Sequence, residues 1–270
     1  MKKVVLITGA STGMGKETAL LLANSGYTVY GAARRTALMQ DLIPVGVQVL
    51  SMDVTNDEQM VAGINTIIAK EGRLDILINN AGFGSYGAIE DVPMADARYQ
   101  LEVNVIGALR LIQLVLPHMR SQGGGKIVNI SSIGGKVATP FGGWYHASKF
   151  ALEALSDSLR NEVRPFNIAV IVIEPGGVES EWGDIAFKSL LKVSGNGAYK
   201  AMVERFAKAF EKTMHKNAAP AVIAQLIKKA LAAKKPKTRY HGGYMAGPIL
   251  AARKLLGDRM IDKAIASQLK

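Results

Sequence analysis

Tyr145 and Lys149 stand four residues apart in the run Tyr145-His146-Ala147-Ser148-Lys149, a spacing that puts both on one face of a helix. A free phenol has a pKa of about 10, so it exchanges protons poorly near neutrality unless a neighbouring cation favours the phenolate. Lys149 supplies that cation. The pair therefore reads as an acid/base with its tuner, and a serine pair, Ser131-Ser132, lies upstream of it.

A second chemical feature opens the chain. Thr8-Gly9-Ala10-Ser11-Thr12-Gly13-Met14-Gly15 follows an apolar run at residues 4–7 and precedes a segment of helical periodicity. Glycines permit a tight turn and close approach of the backbone to a pyrophosphate, while a helix N-terminus offers unpaired amides and partial positive charge. The spacing is G-x-x-x-G-x-G rather than the common dinucleotide fingerprint. Some 20 residues on, where an NAD site places an acid on the ribose 2′-hydroxyl, this chain has Arg34-Arg35 and no Asp or Glu between Glu17 and Asp41. Guanidinium groups favour a 2′-phosphate through charge-assisted hydrogen bonds. The expected cofactor is NADP(H), with Arg34 its main determinant and Arg35 beside it.

The elements that must position these residues alternate. Apolar runs at 4–7, 27–30, 47–50, 76–78, 127–130 and 168–173 lack strand alternation and read as strands buried on both faces. Helical periodicity fills 17–23, 58–70, 97–119 and 146–163. The expected fold is α/β: a single doubly wound Rossmann-type domain over residues 1–270, its parallel sheet flanked by helices. A helical substrate lid at about 179–215, a further helix at 220–233 and a basic tail at about 244–270 follow. Ligands of such a sheet sit beyond its carboxyl edge, which places Thr8, Ala33, Asp53, Asn79, Ser131 and Glu174 together.

Composition narrows the chemistry. The 270 residues are 49% hydrophobic and include no cysteine, which removes disulfides, thiolate metal sites and cysteine nucleophiles. The four histidines, His118, His146, His215 and His241, show no metal spacing. No uncharged apolar stretch approaches the roughly 18 to 20 residues of a membrane span, and a soluble, cytoplasmic protein is expected. The net charge is +11, and residues 188–270 carry 18 Lys and Arg against 4 Asp and Glu. Helix faces exposed to water explain that excess, and no nucleic-acid-binding motif accompanies it.

Taken together, residues 3–180 resemble the short-chain dehydrogenase/reductase family, and the later run with the tail is most similar to its hydroxysteroid/retinol dehydrogenase-like branch. The resemblance implies a cofactor loop at Gly9, Gly13 and Gly15, with Ser11, Thr12 and Met14 between them. It implies adenine contact at Asp53 and Val54, and a cofactor-side Asn-Asn-Ala-Gly segment at Asn80, Ala81 and Gly82. Pro175, Gly176 and Val178 would flank the nicotinamide, and Ser180 holds the position of the family's threonine. The catalytic set carried over is Asn104, Ser132, Tyr145 and Lys149. Asn104 is expected to anchor a water linking Lys149 to solvent.

The implied reaction interconverts a carbonyl and an alcohol on a small-molecule substrate. The lid's Trp182, Phe187, Leu190, Leu191, Tyr199, Met202, Phe206, Phe210 and Met214 suggest an apolar or amphipathic one, such as a steroid, retinoid or 3-oxoacyl compound. Lys188, Lys192 and Lys200 admit a phosphorylated carrier. Trp144 is expected to face the substrate or to pack. The tail, with residues 248–256 at its centre, is expected to cap the lid, to meet a partner subunit, or to lie peripherally on an anionic membrane. By resemblance the chain forms a homodimer or homotetramer. An NADPH-binding regulator with a basic C-terminal interaction surface is the alternative from another functional class.

Overall fold

The structure is a computed structural model that describes residues 2–267; Met1 and residues 268–270 of the expected tail lie outside the described residues. Seven strands, β1 (Val4–Thr8), β2 (Thr28–Ala33), β3 (Gln48–Ser51), β4 (Ile76–Asn79), β5 (Gly125–Ile130), β6 (Ile168–Pro175) and β7 (Arg239–Gly242), form one sheet in the order β3-β2-β1-β4-β5-β6-β7. Every neighbouring pair is parallel. The order reverses direction between β1 and β4, the switch point where a doubly wound sheet binds ligands.

The helices are α1 (Gly13–Ala23), α2 (Asp57–Glu71), α3 (Met94–Leu101), α4 (Gly107–Ser121), α5 (Gly143–Val163), α6 (Glu181–Ser194), α7 (Lys200–Met214), α8 (Ala221–Ala232), α9 (Ala246–Leu255) and α10 (Asp258–Ser267). Successive strand residues point to opposite faces, and here both faces are covered. Val4, Leu6, Leu77 and Ile127 join the core with Leu111 and Val115 of α4. Val5, Ile7, Ile76 and Val128 join the other core with Leu22 of α1 and Ile223 of α8. That double burial is why the strand runs read as unbroken apolar stretches.

Two departures from the expected elements bear on the site. β7 lies between the helix expected at 220–233 and the tail expected from about 244, where the sequence predicts no element, and it extends the sheet beyond β6. The helix expected over 97–119 is interrupted by a π-helical turn at Glu102–Ile106, centred on Asn104, a distortion that recurs at functional sites. The combined run Met94–Ser121 has the length and hydropathy to cross a membrane, but half of its apolar window is buried in the protein.

Candidate active site

The carboxyl edge of the sheet opens into a cavity of about 1220 Å³. Sites for single small ligands occupy about 300–1,000 Å³, so this space accommodates a dinucleotide and a second molecule. Its wall takes in every expected catalytic and cofactor-binding residue except Gly15 and Asn104. Of the lid residues expected on the substrate side it takes in Trp182, Phe206, Phe210 and Met214 but not Phe187, Leu190, Leu191, Tyr199 or Met202.

At one end lies the glycine turn. Gly9 has φ of +65°, and a Cβ there would come within 2.9 Å of the Ala81 Cα, so both backbone shape and the approach of the β4 loop require glycine. Asn80 Nδ2 donates to the carbonyls of Thr8 (2.9 Å) and Gly9 (3.1 Å), while the Thr8 hydroxyl accepts from the amides of Asn80 and Ala81. The β1 turn and the β4 end are thereby fastened together. Thr12 precedes α1 without making a side-chain cap bond, leaving the leading amides of the helix available to an anion. Gly15 does different work from that expected. A Cβ on it would fall 2.3 Å from the Gly9 carbonyl oxygen, so it seats α1 against the turn and never reaches the cavity.

Arg34 and Arg35 border the cavity at the end of β2. Arg34 Nη1 donates to the Tyr99 hydroxyl at 2.7 Å and stands 3.7 Å from Asp53. Arg35 pairs with Glu181, the first residue of α6, at 2.7 Å. Two guanidiniums from consecutive residues, both bordering the cavity and more than half exposed, are the donor type that a ribose 2′-phosphate needs. β2 itself carries no acidic residue; the carboxylates beside the two arginines, Asp53 and Glu181, come from elsewhere in the chain.

At the other end are the hydroxyl and amine groups. Ser132 caps a one-turn 3₁₀ helix, Ile133–Gly135, with its Oγ accepting from the Gly134 amide at 3.0 Å. Tyr145 and Lys149 rise from α5, both buried, and Lys149 Nζ donates to the Ile130 carbonyl at 2.9 Å. The ammonium lies 5.9 Å from the centre of the Tyr145 ring. Burial pushes Lys149 down to about 8 and Tyr145 up to about 12, with a hydrogen bond to Ser132 opposing the rise. The tyrosine shift runs opposite to the sequence expectation, because loss of water around the phenolate outweighs a cation at that distance. A phenol held protonated is a proton donor.

Asn104 stands one layer behind the wall. Its Oδ1 accepts from the Phe83 amide at 3.0 Å, and its Nδ2 donates to the Phe83 carbonyl (2.9 Å) and Ser148 Oγ (3.0 Å). The π-turn thus ties the segment after Gly82 to α5. A Cβ on Gly82 would lie 3.2 Å from Asn104 Oδ1 and 3.6 Å from Lys149 Nζ, so the asparagine and the lysine share one neighbourhood.

Several wall residues escaped the sequence reading. Tyr86 lies 6.0 Å from Tyr145 and 5.6 Å from Trp182, ring centre to ring centre, making an aromatic corner over the phenol. Its place just after Asn80-Ala81-Gly82 was the available signal. Trp182, rather than Trp144, faces the cavity. His146 is buried and braces the Ser132 turn. Its Nε2 accepts from the Thr139 amide and its Nδ1 donates to the Gly134 carbonyl, each at 3.0 Å. From α7 come Phe206, Phe210, Met214 and Lys212, the last replacing the expected Lys188, Lys192 and Lys200 as the lysine of this face. Ile249 of α9 and Ile265 of α10 bring the tail to the same wall, so it caps the cavity of its own chain.

Known proteins share this architecture. A family model described as short chain dehydrogenase matches residues 3–191. The chain is 37% identical over 266 residues to a 3-ketodihydrosphingosine reductase of Bacteroides thetaiotaomicron, covering 97% of this chain and 96% of that one. It is 31% identical over 284 residues to an NADPH-dependent 3-dehydrocapnine reductase of Ornithobacterium rhinotracheale, covering 99% and 98%. A crystal structure of a short-chain dehydrogenase from Streptomyces avermitilis superposes with a TM-score of 0.82 at 33% identity, over 99% of this chain and 94% of that one.

Proposed function

Because this chain belongs to the short-chain dehydrogenase/reductase family and is an oxidoreductase, we propose that it reduces the carbonyl of an amphipathic substrate with NADPH, Tyr145 acting as the proton donor. The observation that carries the reading is the single cavity wall shared by the glycine turn, Arg34, Arg35, Ser132, Tyr145 and Lys149.

The cofactor, when bound, supplies a hydride to the carbonyl carbon. Gly9 to Met14 and the α1 amides would hold the pyrophosphate, Arg34 and Arg35 the 2′-phosphate, and Pro175, Gly176 and Val178 would flank the nicotinamide end. As negative charge grows on the substrate oxygen, the Ser132 hydroxyl donates to it and fixes its orientation. Tyr145 transfers its proton to that oxygen, leaving a phenolate that the Lys149 ammonium stabilises. A tyrosine at about 12 holds its proton throughout the neutral range, as the donor in reduction must. Asn104 keeps α5 and the Phe83 segment in place.

The substrate class rests on the far wall, where Tyr86, Trp182, Phe206, Phe210 and Met214 present apolar surface. Two relatives that span nearly the whole chain are named as reductases of 3-ketodihydrosphingosine and of 3-dehydrocapnine, and both names put the reduced carbonyl at carbon 3. A long-chain 3-oxo amphiphile is therefore the leading substrate, with helices α6 and α7 as its lid. Following NADPH oxidation against matched panels of 3-oxo amphiphiles, steroids, retinoids and short ketones tests this. Equal kcat/KM for short and long 3-oxo compounds would overturn the amphipathic assignment.

The α9–α10 hairpin also supports contact with an anionic membrane. Leu255 and Met260 are 81% and 57% exposed beside Arg253, Lys254, Arg259 and Lys263. Co-sedimentation with phosphatidylglycerol vesicles should weaken in a Leu255→Glu/Met260→Glu variant, and unchanged binding removes this role. Exposed Ile106, Phe150 and Leu155 around α4 and α5 support self-association into a dimer or tetramer, which light scattering of the purified chain decides.

A further inference from the structure

Next to Lys149, away from the cavity, lies a buried charged cluster that the chemistry above leaves unused. Glu153 sits one turn further along α5 and Glu174 sits near the end of β6, each side chain only 4% exposed. Glu153 Oε2 accepts from Arg239 Nη2 and Nε at 2.8 and 3.0 Å and forms an ion pair with Lys136 Nζ at 2.8 Å. Glu174 Oε1 is 3.4 Å from Arg239 Nε and 4.0 Å from Lys136 Nζ, at ion-pair distance but outside hydrogen-bond geometry. Arg239 Nε is thus shared by the two carboxylates, 3.0 Å from Glu153 Oε2 and 3.4 Å from Glu174 Oε1. Glu153 Oε1 and Ser131 Oγ are also buried without a partner.

Three catalytic segments meet at this cluster. Lys136 follows Ser132 through the 3₁₀ turn, Glu153 shares α5 with Tyr145 and Lys149, and Glu174 immediately precedes Pro175-Gly176. The packing is close. A Cβ on Gly135 would come within 2.8 Å of Ser131 Oγ, 3.0 Å of Glu153 Cγ and 3.1 Å of the Lys149 carbonyl oxygen.

We propose that Glu153 and Glu174 form a buried carboxyl pair sharing one proton, and that the pair is a positioning element for the reaction. It holds the Ser132 turn, the Tyr145–Lys149 helix and the Pro175-Gly176 strand end in register, and its negative charge keeps Lys149 an ammonium. The proposal rests on the Tyr145–Lys149 reading of the site.

Two carboxylates side by side in a water-poor site cannot both ionise cheaply, and the proton belongs to the pair. Burial first, and the charge of Glu153 second, push Glu174 up to about 7 against the pull of Lys136 and Arg239. The same Glu153 charge opposes the burial that lowers Lys149. The other ionic groups around the pair are Asp157 on α5, bonded to both Arg239 and Arg160, and His241, the register partner of Glu174 on β7. As pH rises through about 7 the pair gains a second negative charge, which favours the charged form of Lys149 just where that form begins to be lost.

Two measurements on two variants test this. In Glu153→Gln the alkaline limb of the kcat/KM profile moves down by about one pH unit, NADPH affinity measured by fluorescence stays within about threefold, and Glu153→Asp restores part of the limb. An unmoved limb in folded Glu153→Gln overturns the proposal. The second measurement needs no turnover. A carboxyl at about 7 when folded and 4.5 when unfolded stabilises the fold below pH 4.5 and loses that contribution as pH rises through 7. Glu174→Gln, whose amide keeps a donor toward Glu153, should remove that component from the dependence of Tm on pH. A wild-type slope in Glu174→Gln overturns the shared proton, whether or not Glu153→Gln folds. Failure of the underlying reading shows separately, as retained turnover in Tyr145→Phe.

Discussion

The ring of Trp182 lies 4.9 Å from the ring of Tyr145, centre to centre and tilted by 56°. The first turn of α6 therefore forms the roof of the acid that would protonate substrate. Trp182→Ala should lower kcat/KM for a long-chain 3-oxo substrate by roughly 30-fold, the equivalent of about 2 kcal/mol for an aromatic anchor. Short ketones should lose much less. Steady-state kinetics on a matched chain-length series checks it, and an equal loss across the series would show that the indole acts on Tyr145 rather than on the chain.

Tyr145→Phe removes the proton donor and leaves the ring in place. Turnover should fall by about 10²- to 10⁴-fold, the usual worth of a positioned general acid. NADPH binding, titrated by fluorescence, should be nearly unchanged.

Arg34→Asp should raise the KM for NADPH by about 10- to 100-fold, the scale of one lost charge-assisted contact, while NADH is used no worse. Arg34 is held by the Tyr99 hydroxyl at 2.7 Å and stands at ion-pair distance, 3.7 Å, from Asp53, so a 2′-phosphate would meet an exposed guanidinium only loosely paired with a carboxylate. An unchanged NADPH/NADH ratio would remove Arg34 as the determinant.

The charge of Lys149 sets a pH limit. A lysine lowered to about 8 is an ammonium below that pH and neutral above it. Reduction should hold its rate up to about pH 8 and then decline roughly tenfold per unit in kcat/KM. A profile flat to pH 10 would show that the amine's charge is not required.

His146 gives a stability signature of opposite sense to that of Glu174. Burial lowers its pKa from 6.5, so as pH falls below 6.5 the unfolded chain takes up a proton that the folded chain refuses, and stability drops. The His146 contribution to the calorimetric Tm should fall on acidification, against that of Glu174, and His146→Gln should remove that component from the curve.

Much of this was readable because it was local. Thr8 to Gly15, Arg34-Arg35 and Tyr145 to Lys149 carry their meaning within single turns, and the strands buried on both faces betrayed a doubly wound sheet. What escaped depends on distant partners. β7 is four residues of mixed polarity, Arg239 to Gly242, and becomes a strand only because β6 offers it an edge. Gly15 looks like its fellow glycines until the Gly9 carbonyl is seen against it. Nothing in the sequence around Glu153 signals burial, and Lys136 and Arg239, supplied from elsewhere in the chain, make that burial tolerable. For Tyr145 the sequence shows the cation four residues away but not the burial that pushes the phenol up to about 12.

The cavity wall begins at Gly9 and includes Ile265, so nearly the whole chain must be in place before the pocket is complete. During synthesis, the sheet and its cofactor turn can assemble well before the last helix arrives, and the substrate side stays open until it does. Damage far from Tyr145, at the β7 edge or in the final helix, should therefore be seen first as poor discrimination among substrates and only later as lost NADPH binding.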